Sequence, residues 1–480
     1  MIKMKRRIEA QLLSWKNKGT GRMPLLINGA RQVGKTYTLR HFGAEHFKNA
    51  VYVNLETNMA IASYFNDDIA PGKILRYLES SAGEKIIPGE TLVILDEIQS
   101  RERALTSLKY FCEETPEIHI AAAGSLLGVA VNRKHYSYPV GKVETIQMYP
   151  FDFEEYLLAR SEELLCGEIW ASFRSMEPLP EALHLKAQDL FREYLIIGGM
   201  PACINAFTAG GSFIDVPMVQ KGILDNYTAD MAKYASPNDS VKIRACYNSI
   251  PAQLAKDNKK FQYKVVQKGG STSIFGASIE WLNLAGVVLK CQRVAQAVEP
   301  ISVYADLSAF KLYMGDVGLL AMKSGISQQT ILSGEGNTFM GALTENYVAQ
   351  QFAAKGYDLY YWESSSIAEL DFVLKNIGDV CLCSNRTYRC VPLVFLLPSL
   401  EQQWRRFQTK NVWYYNGYSA YESFSSINKH EHQNDIYIFC LNKGNMREES
   451  NSLNLNNWDF YIVPTSLINK HYGEQNISKT

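Results

Sequence analysis

The sequence predicts an α/β fold built on a parallel sheet for its first 150 residues. Between residues 25 and 125, short apolar runs alternate with longer amphipathic stretches, as they do in chains of βαβ units. The short runs are continuously apolar, which is typical of strands that are buried on both faces of a sheet. They are LLIN at 25–28, VYVNL at 51–55, TLVILD at 91–96 and IHIAAAGS at 118–125.

The composition limits the class of protein. Of the 480 residues, 46% are hydrophobic and 20% are charged, so we expect several folded domains and little disorder. The 49 basic residues balance 49 acidic ones, which excludes a global field directed at nucleic acid or anionic lipid. The 9 cysteines are scattered and odd in number, as in reduced cytoplasmic proteins. Because no apolar run reaches the ~20 residues of a membrane helix, we expect a cytoplasmic protein with no membrane partner.

A glycine-rich segment, GARQVGKT, directly follows the first apolar run and precedes a helical stretch. It fits the pattern G-x-x-x-x-G-K-[ST], whose glycines let backbone N–H groups face phosphates at a helix N-terminus. Lys35 would neutralise the β- and γ-phosphates, and Thr36 would offer its hydroxyl to Mg²⁺. The predicted ATP-binding residues are Gly29, Ala30, Arg31, Gln32, Val33, Gly34, Lys35 and Thr36.

The apolar run at residues 92–96 ends in two carboxylates, Asp96 and Glu97. Asp96 would complete the Mg²⁺ shell, and Glu97 would polarise the attacking water. An acid pair at a strand end is by itself more often a helix cap, but its position after a phosphate loop reverses that judgement. The pair favours ATP hydrolysis over a kinase or GTPase reaction, and no guanine-specific N-K-x-D pattern follows it.

Ser125 ends the next apolar run and is a further catalytic candidate, because its hydroxyl could contact the γ-phosphate or the lytic water. Arg133, Lys134 and Lys142 follow it and could supply a cation to the transition state. Solvated surface charge is the commoner explanation for such residues. The sequence leaves the choice among these cations open.

Beyond residue 150 the pattern becomes helical, which predicts a connecting region at 151–238. In the segment 239–325, helical stretches at Val241–Lys256 and Ser273–Gly286 precede two strand-like runs, VVLKCQRV and FKLYMGD. Helices followed by a β-hairpin indicate a winged helix-turn-helix. We place the first domain at residues 1–150 accordingly.

Several motifs together resemble the prokaryotic AAA-type ATPases, of the AAA+ superfamily, that carry a C-terminal domain of unknown function numbered 4143. The resemblance covers about residues 1–379. It implies an ATPase core, a winged-helix segment and, at 326–379, a partial module similar to restriction-endonuclease folds. Its motifs are GARQVGKT, LDEIQ, AAGSLLGV, YPVGKVETIQMYPFDFEEYL, REYLIIGGMP, LAKDNKKFQY, FKLYMGDVGLL, GALTENYVAQQF and YYWESSSIAELDFVLK.

The nuclease-like module lacks part of the metal site that such folds use. Glu345 lies on a predicted helix, and Glu369 and Asp371 occupy alternate positions of one predicted strand. The resemblance also implies a following strand with Glu-x-Lys, which is absent after Asp379. We therefore predict that nuclease activity is absent and that residues 380–480 form a divergent tail of unknown fold. Within the tail, the aromatic and β-branched runs VWYYNGYSAYESF, NDIYIFCL and NNWDFYIVP indicate strands.

The segment 256–268 holds a lysine cluster that could grip DNA phosphates, with Lys259, Lys260 and Lys264 as the candidate residues. A solvated face that packs on the ATPase is about as good an explanation. Two functions follow. In one, ATP hydrolysis drives a conformational change that acts on DNA. In the other, an ATP-dependent signalling switch binds a protein partner or a second copy of itself through the winged-helix region.

Overall fold

The computed structural model describes residues 5–19, 21–125, 139–175, 177–256, 259–334, 338–363, 369–376, 379–383, 436–442 and 458–464. These residues group into two compact units. The first unit comprises Met1–Cys291 and Ala309–Gly356, and the second comprises Gln292–Ser308 and Tyr357–Thr480. The predicted phosphate loop and its carboxylates all belong to the first unit.

A parallel sheet of five strands lies in the first unit. The strands are β1 (Leu25–Asn28), β2 (Asn49–Asn54), β3 (Thr91–Asp96), β4 (His119–Ala123) and β5 (Glu144–Gln147). Their order is β2-β3-β4-β1-β5 and every pairing is parallel, so the predicted fold class is confirmed. β3 and β4 are buried along their whole length, as their apolar runs predicted. β5 was not predicted, because this edge strand buries only Ile146 and its sequence is short and polar.

Helices cover this sheet and bury its apolar side chains. They are α1 (Ile8–Lys16), α2 (Lys35–His46), α3 (Met59–Asp67), α4 (Pro71–Ala82) and α5 (Glu102–Glu114). Phe65, Leu78 and Phe111 of these helices share a core with Val53 and Leu95 of the sheet. α2 packs closely on the sheet, since a Cβ at Gly43 would lie 2.9 Å from the Cβ of Ala50.

The connecting region consists of helices. They are α6 (Phe153–Ala159), α7 (Glu163–Ser175), α8 (Glu181–Ile197), α9 (Pro201–Gly210) and α10 (Val216–Lys233). α6 starts with a capping box, in which Asp152 and Glu155 each accept the other's backbone N–H. α8 ends at Gly198, in the left-handed region with φ of 75°. Pro201 does not continue α8 but occupies the first turn of α9, where its missing N–H is not needed.

The next segment contains the predicted helices and strands. They are α11 (Pro237–Leu254), α12 (Tyr263–Val266), α13 (Thr272–Leu284), β6 (Val288–Val294), β7 (Ala305–Met314), α14 (Val317–Ser324) and α15 (Gln328–Ser333). α11 packs against α13. The order of helices and then strands is the one that a winged helix requires, and the assignment itself stays a prediction.

Helix α16 (Met340–Ala354) belongs to the first unit, although its sequence placed it in a separate module that began at residue 326. Its polar side chains are buried and bond to backbone groups of the first unit. Asn346 Oδ1 accepts the Met314 N–H at 2.7 Å, and Gln351 Oε1 accepts the Phe153 N–H at 3.0 Å. Because buried backbone groups need such partners, these bonds tie α16 to the ATPase and connecting helices.

The second unit contains an antiparallel strand set. Its strands are β8 (Tyr360–Glu363), β9 (Glu369–Asn376) and β10 (Asp379–Cys383). β9 pairs with both others, and β8 runs parallel to the Gln292–Val294 end of β6. In the tail, β11 (Ile436–Asn442) pairs antiparallel with β12 (Trp458–Pro464), as their aromatic and β-branched runs predicted. The third such run, VWYYNGYSAYESF, lies outside the described residues.

The sequence predicted that the chain has no membrane helix and that its cysteines are reduced. Within the described ranges, no helix has the length and apolarity that crossing a membrane requires. Five cysteines of the described ranges carry free thiols, which agrees with their scattered spacing. They are Cys112, Cys166, Cys203, Cys246 and Cys291.

Candidate nucleotide-binding site

The predicted phosphate loop joins β1 to α2 along a path that depends on a glycine. Gly34 has φ of 99° and ψ of 16°, and α2 begins at the next residue, Lys35. Glycine adopts this left-handed conformation without strain because it has no Cβ. The loop therefore ends on a helix N-terminus, whose free N–H groups and dipole favour an anion.

Gly29 is needed for space. A Cβ built there would lie 2.2 Å from the carbonyl oxygen of Met148, far inside van der Waals contact. Met148 follows β5 and donates its N–H to the Asn28 carbonyl at 2.8 Å. The edge strand thus runs directly against the start of the loop, and only glycine fits between them.

Lys35 is buried inside the loop that precedes it. Its Nζ donates to the carbonyl oxygens of Gly29 at 2.9 Å and Ala30 at 2.7 Å. Burial lowers the pKa of Lys35 to about 8, although the carboxylates of Glu97 and Asp96 oppose that change. The ammonium group is therefore held by two carbonyls that a phosphate group could replace.

Asp96 and Thr36 form the predicted metal-binding pair at the carboxyl end of β3. The Thr36 hydroxyl donates to Asp96 Oδ2 at 2.8 Å, and the Tyr52 hydroxyl donates to the same oxygen at 2.9 Å. Hydroxyl and carboxylate oxygens are the ligands that Mg²⁺ prefers, and these two lie close enough to share one ion. Sequence reasoning missed Tyr52, which lies on the neighbouring strand β2.

Glu97 has an unusual backbone conformation, and its side chain contacts Gln99 and Ser125. Its φ of 52° and ψ of 42° lie in the left-handed region, which costs a non-glycine residue about 1–2 kcal/mol. Such strain is concentrated at functional sites. Glu97 Oε2 accepts a hydrogen bond from Gln99 Nε2 and another from the Ser125 hydroxyl at 3.4 Å. The structure thus brings Glu97 and Ser125 together and adds Gln99, which the LDEIQ motif could have indicated.

Arg6 binds the phosphate loop and the start of α6, and the sequence analysis did not identify this residue. Its Nη1 donates to the Val33 carbonyl at 3.0 Å, and its Nε lies 3.1 Å from Glu155 Oε1. Arg6 is 8% exposed and Glu155 is 6% exposed, so this ion pair is protected from solvent. Through these two contacts, Arg6 connects the loop to the start of α6.

Arg31 in the loop contacts α10 of the connecting region. Its Nη1 lies 2.5 Å from Asp230 Oδ1, and its carbonyl oxygen accepts the Tyr227 hydroxyl at 3.1 Å. Gln32, the next residue, is exposed and has φ of 67°. Neither Asp230 nor Tyr227 carries a sequence signal that would link it to the loop.

The structure describes only one of the three candidate transition-state cations that follow Ser125 in the sequence. Arg133 and Lys134 lie outside the described residues. Lys142 forms an ion pair of 3.0 Å with Glu113, and both side chains are more than a third exposed. Such surface pairs are weak and common, so Lys142 fits the solvated-charge explanation.

The structure removes Lys259 from the candidate DNA surface. Its ammonium group forms an ion pair with the fully buried carboxylate of Glu345, and the Lys259 side chain is only 14% exposed. Lys260 is half-buried and forms an isolated β-bridge with Lys311, whereas Lys264 is exposed. Only part of the predicted lysine cluster is therefore open to a nucleic acid.

Glu345 is committed to internal partners and is not free to hold a metal ion. Besides Lys259, it pairs with the buried Lys311 at 2.9 Å and accepts the Tyr313 hydroxyl. Burial alone would raise the pKa of Glu345, but Lys311 and Lys259 hold it at about 2. Glu345, one of the carboxylates of the predicted nuclease-like module, is thus the counter-ion of two lysines. Among the described side chains, no three His, Cys, Asp or Glu residues gather as a metal site.

Three segments of the chain match family models. Residues 21–157 match a family described as an AAA domain, and residues 340–383 match domain of unknown function 4143. Between them, residues 188–330 match domain of unknown function 8612. The predicted resemblance to the AAA-type family is thereby confirmed, and its last segment extends to Cys383. A comparison with curated proteins gave no match.

This chain is similar to two solved structures. A Walker-type ATPase of Pyrococcus abyssi is 15% identical and aligns over 67% of this chain and 95% of its own, with a TM-score of 0.42. The ORC2 protein of Aeropyrum pernix, in ADPNP–ADP complexes, is 12% identical over 73% of this chain and 96% of its own, with a TM-score of 0.33.

The parallel sheet, the loop at the start of α2 and the carboxylates after β3 define a P-loop NTPase. Within that class, the chain carries an AAA domain at residues 21–157 and domain of unknown function 4143 at residues 340–383.

Proposed function

We propose that this chain binds ATP with Mg²⁺ and hydrolyses it, and that the reaction drives a conformational change. One observation carries the proposal. The Thr36 hydroxyl lies 2.8 Å from the Asp96 carboxylate, at the sheet edge from which the phosphate loop and Glu97 also project. One triphosphate bound to the loop would thus reach the buried Lys35, the Thr36–Asp96 pair and Glu97, which would serve as cation, metal ligands and general base.

Each residue has a distinct part in the reaction. Lys35 would exchange the Gly29 and Ala30 carbonyls for β- and γ-phosphate oxygens. Thr36 and Asp96 would hold Mg²⁺, which neutralises phosphate charge when it is bound. Glu97 would accept a proton from the attacking water. Ser125, which donates to Glu97, would hold that carboxylate in place.

Replacing Glu97 with Gln tests hydrolysis separately from binding. We expect ATP affinity to stay within a small factor, because the amide has the size of the carboxylate. Turnover should fall by about 100-fold or more, since the amide cannot accept the proton of the water. The measurement is ATP binding by calorimetry and phosphate release at saturating ATP.

Glu90 provides a matched control, because it forms a surface ion pair with Lys48 at 3.0 Å in the same domain. The Glu90→Gln variant should hydrolyse ATP at the wild-type rate. Unchanged turnover in Glu97→Gln would move the general base to another residue.

DNA remains a proposed ligand of the segment 259–268. Its support is local charge, since Lys264 and Lys268 are exposed in an otherwise neutral chain. Lys260 is partly exposed beside them. Such a cluster would contact phosphates without reading base sequence.

Exchanging Lys260 and Lys264 for Glu should weaken DNA binding at low salt and leave basal ATP turnover unchanged. Lys259 must be kept, since a glutamate there would face the buried Glu345. Lys109→Glu, at an exposed position on α5, carries half of that change in net charge and controls for a charge reversal outside the segment. Fluorescence anisotropy with duplex DNA measures the effect. If the unmodified protein fails to bind DNA, the signalling function with a protein partner is favoured instead.

The absence of nuclease activity is a further prediction. Cleavage of a phosphodiester needs carboxylates that are free to hold a metal ion. Glu345 is paired with two lysines, and the side chain of Glu369 lies outside the described residues. Supercoiled plasmid incubated with the protein, ATP and Mg²⁺ or Mn²⁺ should stay intact. Nicking that disappears in Asp371→Ala would contradict the prediction.

A further inference from the structure

The phosphate loop contains a second cation besides Lys35, and that cation is bound to another region of the chain. Arg31 Nη1 lies 2.5 Å from the Oδ1 of Asp230, which is 199 residues away on α10. Asp230 is only 4% exposed. Its carboxylate is therefore sheltered from water, and Arg31 is its main counter-charge, ahead of Lys233.

The same helix contacts the backbone of the same loop residue. Tyr227, almost one turn before Asp230, donates its hydroxyl to the Arg31 carbonyl at 3.1 Å. Tyr227 is 4% exposed, so this bond is also protected. α10 thus holds Arg31 at two points, one on its side chain and one on its main chain.

The charges around Arg31 are those of the phosphate site. Burial alone would lower the pKa of Arg31, but the carboxylates of Asp230 and Glu97 raise it. Arg31 in turn helps to lower the pKa of Lys35. The guanidinium group consequently acts on both Glu97 and Lys35 while it is paired with Asp230.

We propose that Arg31 is a phosphate-sensing residue that exchanges Asp230 for the terminal phosphate of ATP, so that α10 responds to the bound nucleotide. This inference rests on the proposed function. An arginine pairs more strongly with a multiply charged phosphate than with a single carboxylate. ADP lacks the terminal phosphate and would leave the Arg31–Asp230 pair in place.

The exchange would couple ATP binding to movement of the connecting helices. Once Arg31 leaves, Asp230 is a sheltered carboxylate without its partner, which disfavours the docked position of α10. A ligand shifts a conformational equilibrium only by binding one state better than the other. ATP would do so through the Arg31 contact, and ADP would not.

The test compares ATP and ADP affinities in the full chain. In Arg31→Gln, ATP affinity should fall by about 10-fold or more, the value of a charged hydrogen bond, while ADP affinity changes little. In Asp230→Asn, ATP affinity should rise, because Arg31 no longer has to leave a carboxylate. In the double variant, Asp230→Asn should add nothing, since Arg31 is absent.

Lys221→Gln is the matched control. Lys221 lies on the same helix at an exposed position, and it is not among the charges that act on Asp230. It should not change the ratio of ATP to ADP affinity. ADP binding in each variant also reports that the site is folded.

Two outcomes separate this inference from the proposed function. If Arg31→Gln weakens ATP and ADP equally, or Asp230→Asn weakens both, Arg31 only supports the loop and the inference is wrong. If the wild-type chain binds no nucleotide, or binds it independently of Lys35, the proposed function itself fails.

Discussion

Lys35→Ala should abolish measurable ATP binding while the protein stays folded. The triphosphate loses the buried cation that the loop presents, and charge-assisted hydrogen bonds to phosphate are among the strongest in proteins. Folding should survive, because burial lowers the pKa of Lys35 from that of an exposed lysine. That direction means the ionised lysine at neutral pH costs the folded state free energy compared with the unfolded state.

The measurement is ATP and ADP binding by calorimetry, with thermal unfolding of the same samples. Lys48→Ala is the control, since Lys48 is an exposed lysine of the same domain that pairs with Glu90 at the surface. It should bind ATP normally. Wild-type affinity in Lys35→Ala would refute the site.

Glu345→Gln should strongly destabilise the first unit. The change leaves two lysines, Lys259 and Lys311, beside a neutral amide in the interior. Removing one partner of a buried ion pair typically costs about 3–5 kcal/mol, because the remaining charge is not compensated. Thermal or urea unfolding of the full chain measures the loss.

Lys259→Met separates charge balance from packing at this position. It removes one of the two cations and leaves Lys311 paired with Glu345 at 2.9 Å, so its effect should be smaller. A Glu345→Gln variant as stable as the wild type would show that this carboxylate is free for another role. Metal binding would then return as an explanation.

The first four strands of the sheet were predictable because each contains an apolar run. β3 and β4 are buried on both faces, which demands that pattern, whereas the edge strand β2 buries only two of its residues. β5 was not predictable, since an edge strand that buries only Ile146 carries little of that signal. The sequence predicted that α16 is a helix and where it lies in the chain, but not that it belongs to the first unit. Its place in the first unit depends on buried hydrogen bonds, such as the one from the Met314 N–H to Asn346. The spacing of apolar residues in the sequence cannot reveal such bonds.

Within the site, the sequence identified the residues whose chemistry depends on positions close to them in the sequence. Gly34, Lys35 and Thr36 are adjacent, and one loop conformation places all three. Asp96 and Glu97 are found because a parallel sheet ends its strands at one edge. Arg6 and Tyr52 were missed because their contacts join distant segments.

The sequence by itself determined the class of protein, because a phosphate loop and a strand-end acid pair are local patterns with one common use. Only the tertiary structure decided what the other charges do. Lys259 meets Glu345 across 86 residues, and Arg31 meets Asp230 across 199. A charged side chain looks the same in sequence whether it faces water, a phosphate or a buried partner. Its surroundings, and hence the cost of leaving it unpaired, exist only once the chain has folded.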